Sequence, residues 1–79
     1  MYDVEVTDTF GGEANYSWVN RFELDAPAGI SRRALVRRAK RAAGWTGVRC
    51  ARHFTDWGDT IALRPRGACL VMFITYRGV

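Results

Sequence analysis

The sequence predicts an α+β fold: a single small domain, residues 1–79, with element order ββαβββ. An antiparallel sheet of four or five strands is packed on, or wrapped around, one amphipathic basic helix. Three observations predict it. Two early stretches alternate apolar and polar residues with period two, one central stretch carries a helical apolar stripe between capping signals, and the remainder breaks into apolar runs separated by short Gly- or Pro-containing turns. Hydrophobic residues at 48% supply enough apolar surface for a packed core despite the net charge of +4.

In "YDVEVTD", Tyr2, Val4 and Val6 alternate with Asp3, Glu5 and Thr7, as in a strand with one buried and one wet face. "FGGEAN" interrupts the pattern, and "YSWVNRFEL" resumes it with Tyr16, Trp18, Phe22 and Leu24 assigned to one face. The two strands therefore form a hairpin with an expected loop of about five or six residues. "DAPAG" ends the second strand because proline donates no ladder hydrogen bond.

The helix is expected over Arg32–Ala43. Ser31 is its N-cap, Ile30 a staple residue and Gly44 its stop. Leu35, Val36, Ala39, Ala42 and Ala43 share one arc of the helical wheel, and Arg33, Arg37, Arg38, Lys40 and Arg41 fill the opposite one. After "GWTG", where Trp45 is placed to seal the helix end, come "VRCARHF", "TIALR" and "ACLVMFITY". Short turns between them favour antiparallel neighbours. The last run is apolar on both faces and belongs in the middle of the sheet. One helix covers only one face, so the other needs a cover. Aromatic side chains and loops, a strongly curled sheet, or a second copy in a homodimer are the coverings the sequence leaves open.

Charge is sorted along the chain. Residues 1–30 carry −5, residues 31–44 carry +6 and residues 45–79 carry +3. Half of the twelve Lys and Arg residues thus sit in "ISRRALVRRAKRAAG", without an acid among them. Arg33 with Arg37, Arg37 with Lys40, Arg37 with Arg41, and Arg38 with Arg41 repel at helical spacing, at roughly 0.2–0.5 kcal/mol per pair. Arginine is a good helix former and a charged face is often only a solvated one. A merely solvated face, however, mixes signs. A one-sign face is the footprint of binding to an acidic macromolecule, and Arg33, Arg37, Arg38, Lys40 and Arg41 are the candidate binding residues.

Other chemistry is poorly represented. Cys50, His53 and Cys69 offer one C-x-x-H spacing but no fourth ligand, and residues three apart in a strand point to opposite faces, so no metal or cofactor is expected. His53 beside Cys50 or Asp56 is too sparse to predict an enzyme, and "FGG" has no phosphate-loop lysine. Trp18, Trp45 and Trp57 are read as core or turn residues before they are read as base-stacking platforms with Arg49, Arg52, Arg64 and Arg66 as backbone contacts. Two cysteines, no basic-then-apolar leader after Met1 and no apolar run near 20 residues predict a soluble protein of a reducing cytosol, with no membrane partner.

The short chain with "SRRALVRRAKRAAG" set among antiparallel strands resembles the small phage-encoded anti-CRISPR proteins, in particular inhibitors of type I-C CRISPR-Cas systems. The resemblance covers all 79 residues and rests on no signature motif. It implies a non-enzymatic inhibitor in the host bacterial cytosol. Such a protein binds the surveillance complex or its helicase-nuclease and blocks target DNA binding or recruitment. Many anti-CRISPR proteins are acidic DNA mimics, and a sequence pI near 9.7 sets this chain apart from those. The alternative is a small basic nucleic-acid-binding protein contacting phosphates through the same helix. A structural subunit of a phage particle is a third reading.

Overall fold

Alternation, capping and turn chemistry produce five strands and one helix in the computed structural model, which describes residues 1–54 and 59–77. They are β1 (Tyr2–Phe10), β2 (Glu13–Leu24), α1 (Arg32–Ala42), β3 (Cys50–Phe54), β4 (Thr60–Pro65) and β5 (Leu70–Tyr76). All pairings are antiparallel and the spatial order is β2-β1-β5-β4-β3. An α+β domain built on an antiparallel sheet is therefore present. The expected turn segment 55–58, with Asp56 and Trp57, lies outside the described residues.

The β1–β2 loop is tighter than its sequence suggests. Gly11 and Gly12, with φ of 61° and 85°, form the whole connection. Two consecutive positive φ values are what a two-residue hairpin turn with the sheet's own twist requires, and glycine adopts them without strain. The Glu13–Asn15 stretch consequently belongs to β2.

Beyond the turn the pairing slips. Thr7 faces Val19 but Thr9 faces Ala14, so β2 carries extra residues here. Tyr16 takes a φ of 54° within this bulge. The slip ends the expected common face for Tyr16, Trp18, Phe22 and Leu24. Phe22 and Leu24 pack toward the core on the helix side, whereas Tyr16 turns its hydroxyl to Glu5 Oε1 at 2.6 Å and Trp18 is 42% exposed. A bulge both re-aims side chains and sharpens the local twist.

That bent hairpin supplies the second cover. Arg64 Nη1 on β4 donates to the Gly12 carbonyl at 2.6 Å, tying the hairpin tip across the sheet. Thr7 and Val71 are fully buried on this side, and the Thr7 hydroxyl donates to the Trp18 carbonyl at 2.7 Å. The hairpin thus covers the Val71 end of this face of β5, while Phe73 and Thr75 farther along stay half-buried.

On the other face, Leu35, Val36 and Ala39 of α1 press onto Val4, Val6, Ile61, Leu63, Met72 and Ile74. Ser31 Oγ accepts from the Ala34 N–H at 3.2 Å. At the far end Trp45 N–H donates to the Lys40 carbonyl and Gly44 N–H to the Arg41 carbonyl. This pair of bonds is the Schellman closure, with Gly44 in the left-handed conformation and Trp45 folded onto the core. The helix ends at Ala42, one residue before its expected end, because Ala43 is the cap.

Two expectations follow. Leu63 is completely buried at the centre of the helix side. Leu63→Ala should cost about 2–5 kcal/mol, and for a domain of this size that should leave the chain largely unfolded in a urea titration at 25 °C. The second concerns acid. Hydrogen bonds from Ser17 first, then from Asn15, hold the Asp8 carboxyl down at about 2, and Tyr16 with Arg21 lowers that of Glu5. Carboxyls depressed in the folded state add stability that is complete above their unfolded range near pH 4 and is lost as pH falls towards 2. The melting temperature should drop over that window, and Asp8→Asn should make the drop shallower.

Candidate functional site: a two-walled basic groove

The helix runs beside β3 in the opposite direction. Arg32 at its start places its guanidinium over the Phe54 ring, 4.6 Å from the centroid, while Lys40 near its end reaches the neighbourhood of Arg49 and Cys50. Between them lie two adjoining hollows of about 330 and 390 Å³ that share Val36, Lys40, Gly47 and Arg52. The helix wall is Arg33, Arg37, Lys40 and Arg41. The opposite wall adds Arg49, Arg52 and Arg66, so that seven cations and no carboxylate line the groove among the described residues.

Four of the five candidate residues therefore come together, and Arg38 does not. It leans to the other flank of α1, where its Nη1 donates to the Asp25 carbonyl at 3.2 Å. Sequence alone does not attach the second wall to the helix. Arg49, Arg52 and Arg66 stand out in the chain only as scattered cations. The signal that could have found Arg52 is strand phase: it shares a face with Cys50 and Phe54, and that face meets the helix. Arg64, still within β4 whereas Arg66 lies in the turn after it, is tied to Gly12 instead.

Three acids, Asp3, Glu5 and Glu23, are engaged away from the groove. Glu5 pairs with Arg21 at 2.8 Å, and Arg77 bridges Asp3 and Glu23 at 3.1 Å each. None of the ion pairs among the described residues uses a groove cation. Arg77 lowers the Glu23 carboxyl by a direct hydrogen bond, so that carboxylate is held on the hairpin side. Among the described residues, charge is thus separated across the sheet: paired on the hairpin face, without ion pairs on the helix face.

Such a wall has the chemistry to attract anions. Guanidinium forks match carboxylate or phosphate oxygens two at a time, and a concave one-sign surface concentrates its field. Nothing in the groove suits metal binding. Cys50 faces the helix side and His53 the opposite side, and no group of three or more His, Cys, Asp or Glu among the described residues is placed to hold an ion. No aromatic ring lines either hollow among the described residues, so bases would find no stacking surface there. No helix is long and apolar enough to cross a membrane among the described residues. No family model, curated protein or solved structure matches the chain.

The groove has a stability consequence. Arg37 sits three or four residues from Arg33, Lys40 and Arg41, and each like-charge pair costs about 0.2–0.5 kcal/mol. Arg37→Glu exchanges those repulsions for attractions. It should raise the melting temperature by a few degrees at low salt, with the gain shrinking as salt is added.

Proposed function

We propose that the protein is a non-enzymatic phage inhibitor acting in the host bacterial cytosol. It binds a component of a type I CRISPR-Cas interference complex, of type I-C by the sequence resemblance, and blocks target DNA binding or recruitment. Its contact is the basic groove, with Arg33, Arg37, Lys40 and Arg41 docking on an acidic surface of the surveillance complex or of its helicase-nuclease. The observation that carries this reading is the row of helix cations with no ion-pair partner among the described residues, while Asp3, Glu5 and Glu23 pair with Arg21 and Arg77. Opposite charge on the partner speeds encounter, and central arginines closed off from water act as hot spots.

The reading predicts that Arg37→Glu/Arg41→Glu keeps the fold and loses the target. Hot-spot arginines contribute about 2 kcal/mol or more each, so affinity should fall at least about 30-fold. Plaque formation on a host with an active type I-C system is the measurement; full protection of phage by the folded double variant overturns the proposal.

A second reading is supported by the groove having cations on both walls, as a phosphodiester backbone would use them. Four phosphate contacts correspond to a log–log salt slope of about −3.6 on duplex DNA. Salt-sensitive binding of plain duplex or single-stranded DNA, titrated at two salt concentrations, selects this reading over an acidic protein partner.

A further inference from the structure

The floor of the groove carries a second kind of recognition element. Among the described residues, β3 is the outermost strand on its side and pairs only with β4. The bond from Arg66 N–H to the Arg49 carbonyl, 3.0 Å, fixes the phase of that ladder. In an antiparallel pair the hydrogen-bonded positions alternate, so Ala51 with Arg64 and His53 with Ala62 are bonded pairs too. Cys50, Arg52 and Phe54 then turn their N–H and C=O groups away from β4, to the free edge. Pro65 agrees with this phase: it faces Cys50, where β3 asks no N–H of it.

The edge and the helix run side by side, and their repeats match. Four helical residues rise about 6 Å, and two strand residues about 6.6 Å. Side chains at alternate positions of a strand laid along β3 would therefore fall nearly in step with Arg33, Arg37 and Arg41.

We propose that the free edge of β3 takes up an extended acidic segment of the partner as a sixth strand, with Asp or Glu at alternate positions facing Arg33, Arg37 and Arg41. The inference rests on the reading of the groove as a site for an acidic protein. Main-chain bonds to Cys50, Arg52 and Phe54 hold the segment, and the arginine forks select its charge. A second copy fits the same edge poorly, because antiparallel β3 against β3 centred on Arg52 sets Arg52 against Arg52 and brings two basic grooves together.

The probe is a capped heptapeptide, TEVEVET, compared with the same peptide N-methylated at its three glutamates, which keeps the charges and loses the N–H donors that an antiparallel sixth strand aims at β3. Binding of TEVEVET should slow exchange of the Cys50, Arg52 and Phe54 amide protons at least about tenfold, while Ala51 and His53, already bonded to β4, change little. The N-methylated peptide should bind at least about tenfold more weakly. Equal binding of the two peptides, or binding with shifts confined to α1, overturns strand addition and leaves the acidic-partner reading standing. Failure of both peptides to bind, with Arg37→Glu/Arg41→Glu still abolishing inhibition, has the same meaning. If neither peptide binds and the double variant still inhibits, both proposals fall. Self-association of the free protein through β3, seen as slowed exchange at the same three amides with rising concentration, also overturns it.

Discussion

The seam formed by Leu35, Val36 and Ala39 is the contact on which the rest of the molecule depends. It is narrow, because the helix offers small or medium apolar residues on one arc and cations over most of the remainder. A narrow seam fixes the rotation of the helix about its own axis closely. With Ala39 completely buried against the sheet, a rotation in one direction would push Lys40 toward the core and in the other Arg38. The direction of the guanidinium row is thus a result of core packing, and the groove is as well defined as the seam.

Sorting of charge follows from the same geometry. The helix covers one face, so the acidic side chains of β1 and β2 that point to the other face cannot reach its outer arc. They find partners on their own side in Arg21 and Arg77, and in Ser17, Asn15 and Tyr16. The pairing also steadies the bent hairpin, which has little apolar burial at its tip, where Phe10 is 79% exposed. Local satisfaction of the acids and lack of satisfaction of the helix cations are two sides of one arrangement. A fold shaped by stability alone would interleave the two signs along the helix.

Periodicity carries much of the fold in the sequence. Alternation in β1, the cap at Ser31 and the stop at Gly44 are local signals, and local physics enforces them. The β2 register is illegible because it turns on a bulge: Tyr16 in a left-handed conformation shifts the side-chain phase, and no alternation rule anticipates that. The two-glycine turn is missed for the opposite reason, since "FGGEAN" reads as loop-rich although two glycines suffice. For the site, Arg33, Arg37, Lys40 and Arg41 are legible from helical phase. Arg38 is not separable, because its turn toward Asp25 depends on where the chain leaves β2. Arg49, Arg52 and Arg66 join the groove through strand order, which places β3 at the sheet edge beside the helix, a non-local fact.

The two edges of the sheet show how that order shapes function. β2 is long, but its bulge and left-handed Tyr16 spoil it as a pairing template, which is a common protection against unwanted strand addition. β3 is short, carries no bulge in its ladder and keeps its alternation, so its outward backbone groups remain in regular array. Its guard is charge. Cations along an edge repel copies of the same chain and most basic segments, yet they discriminate in favour of acidic ones. A device that prevents self-pairing becomes a selector once a partner brings the opposite sign, and the like-charge repulsion stored along the helix is relieved when that partner docks. On the proposed reading, the same residues account for the stability the free protein forgoes and for the specificity of the groove.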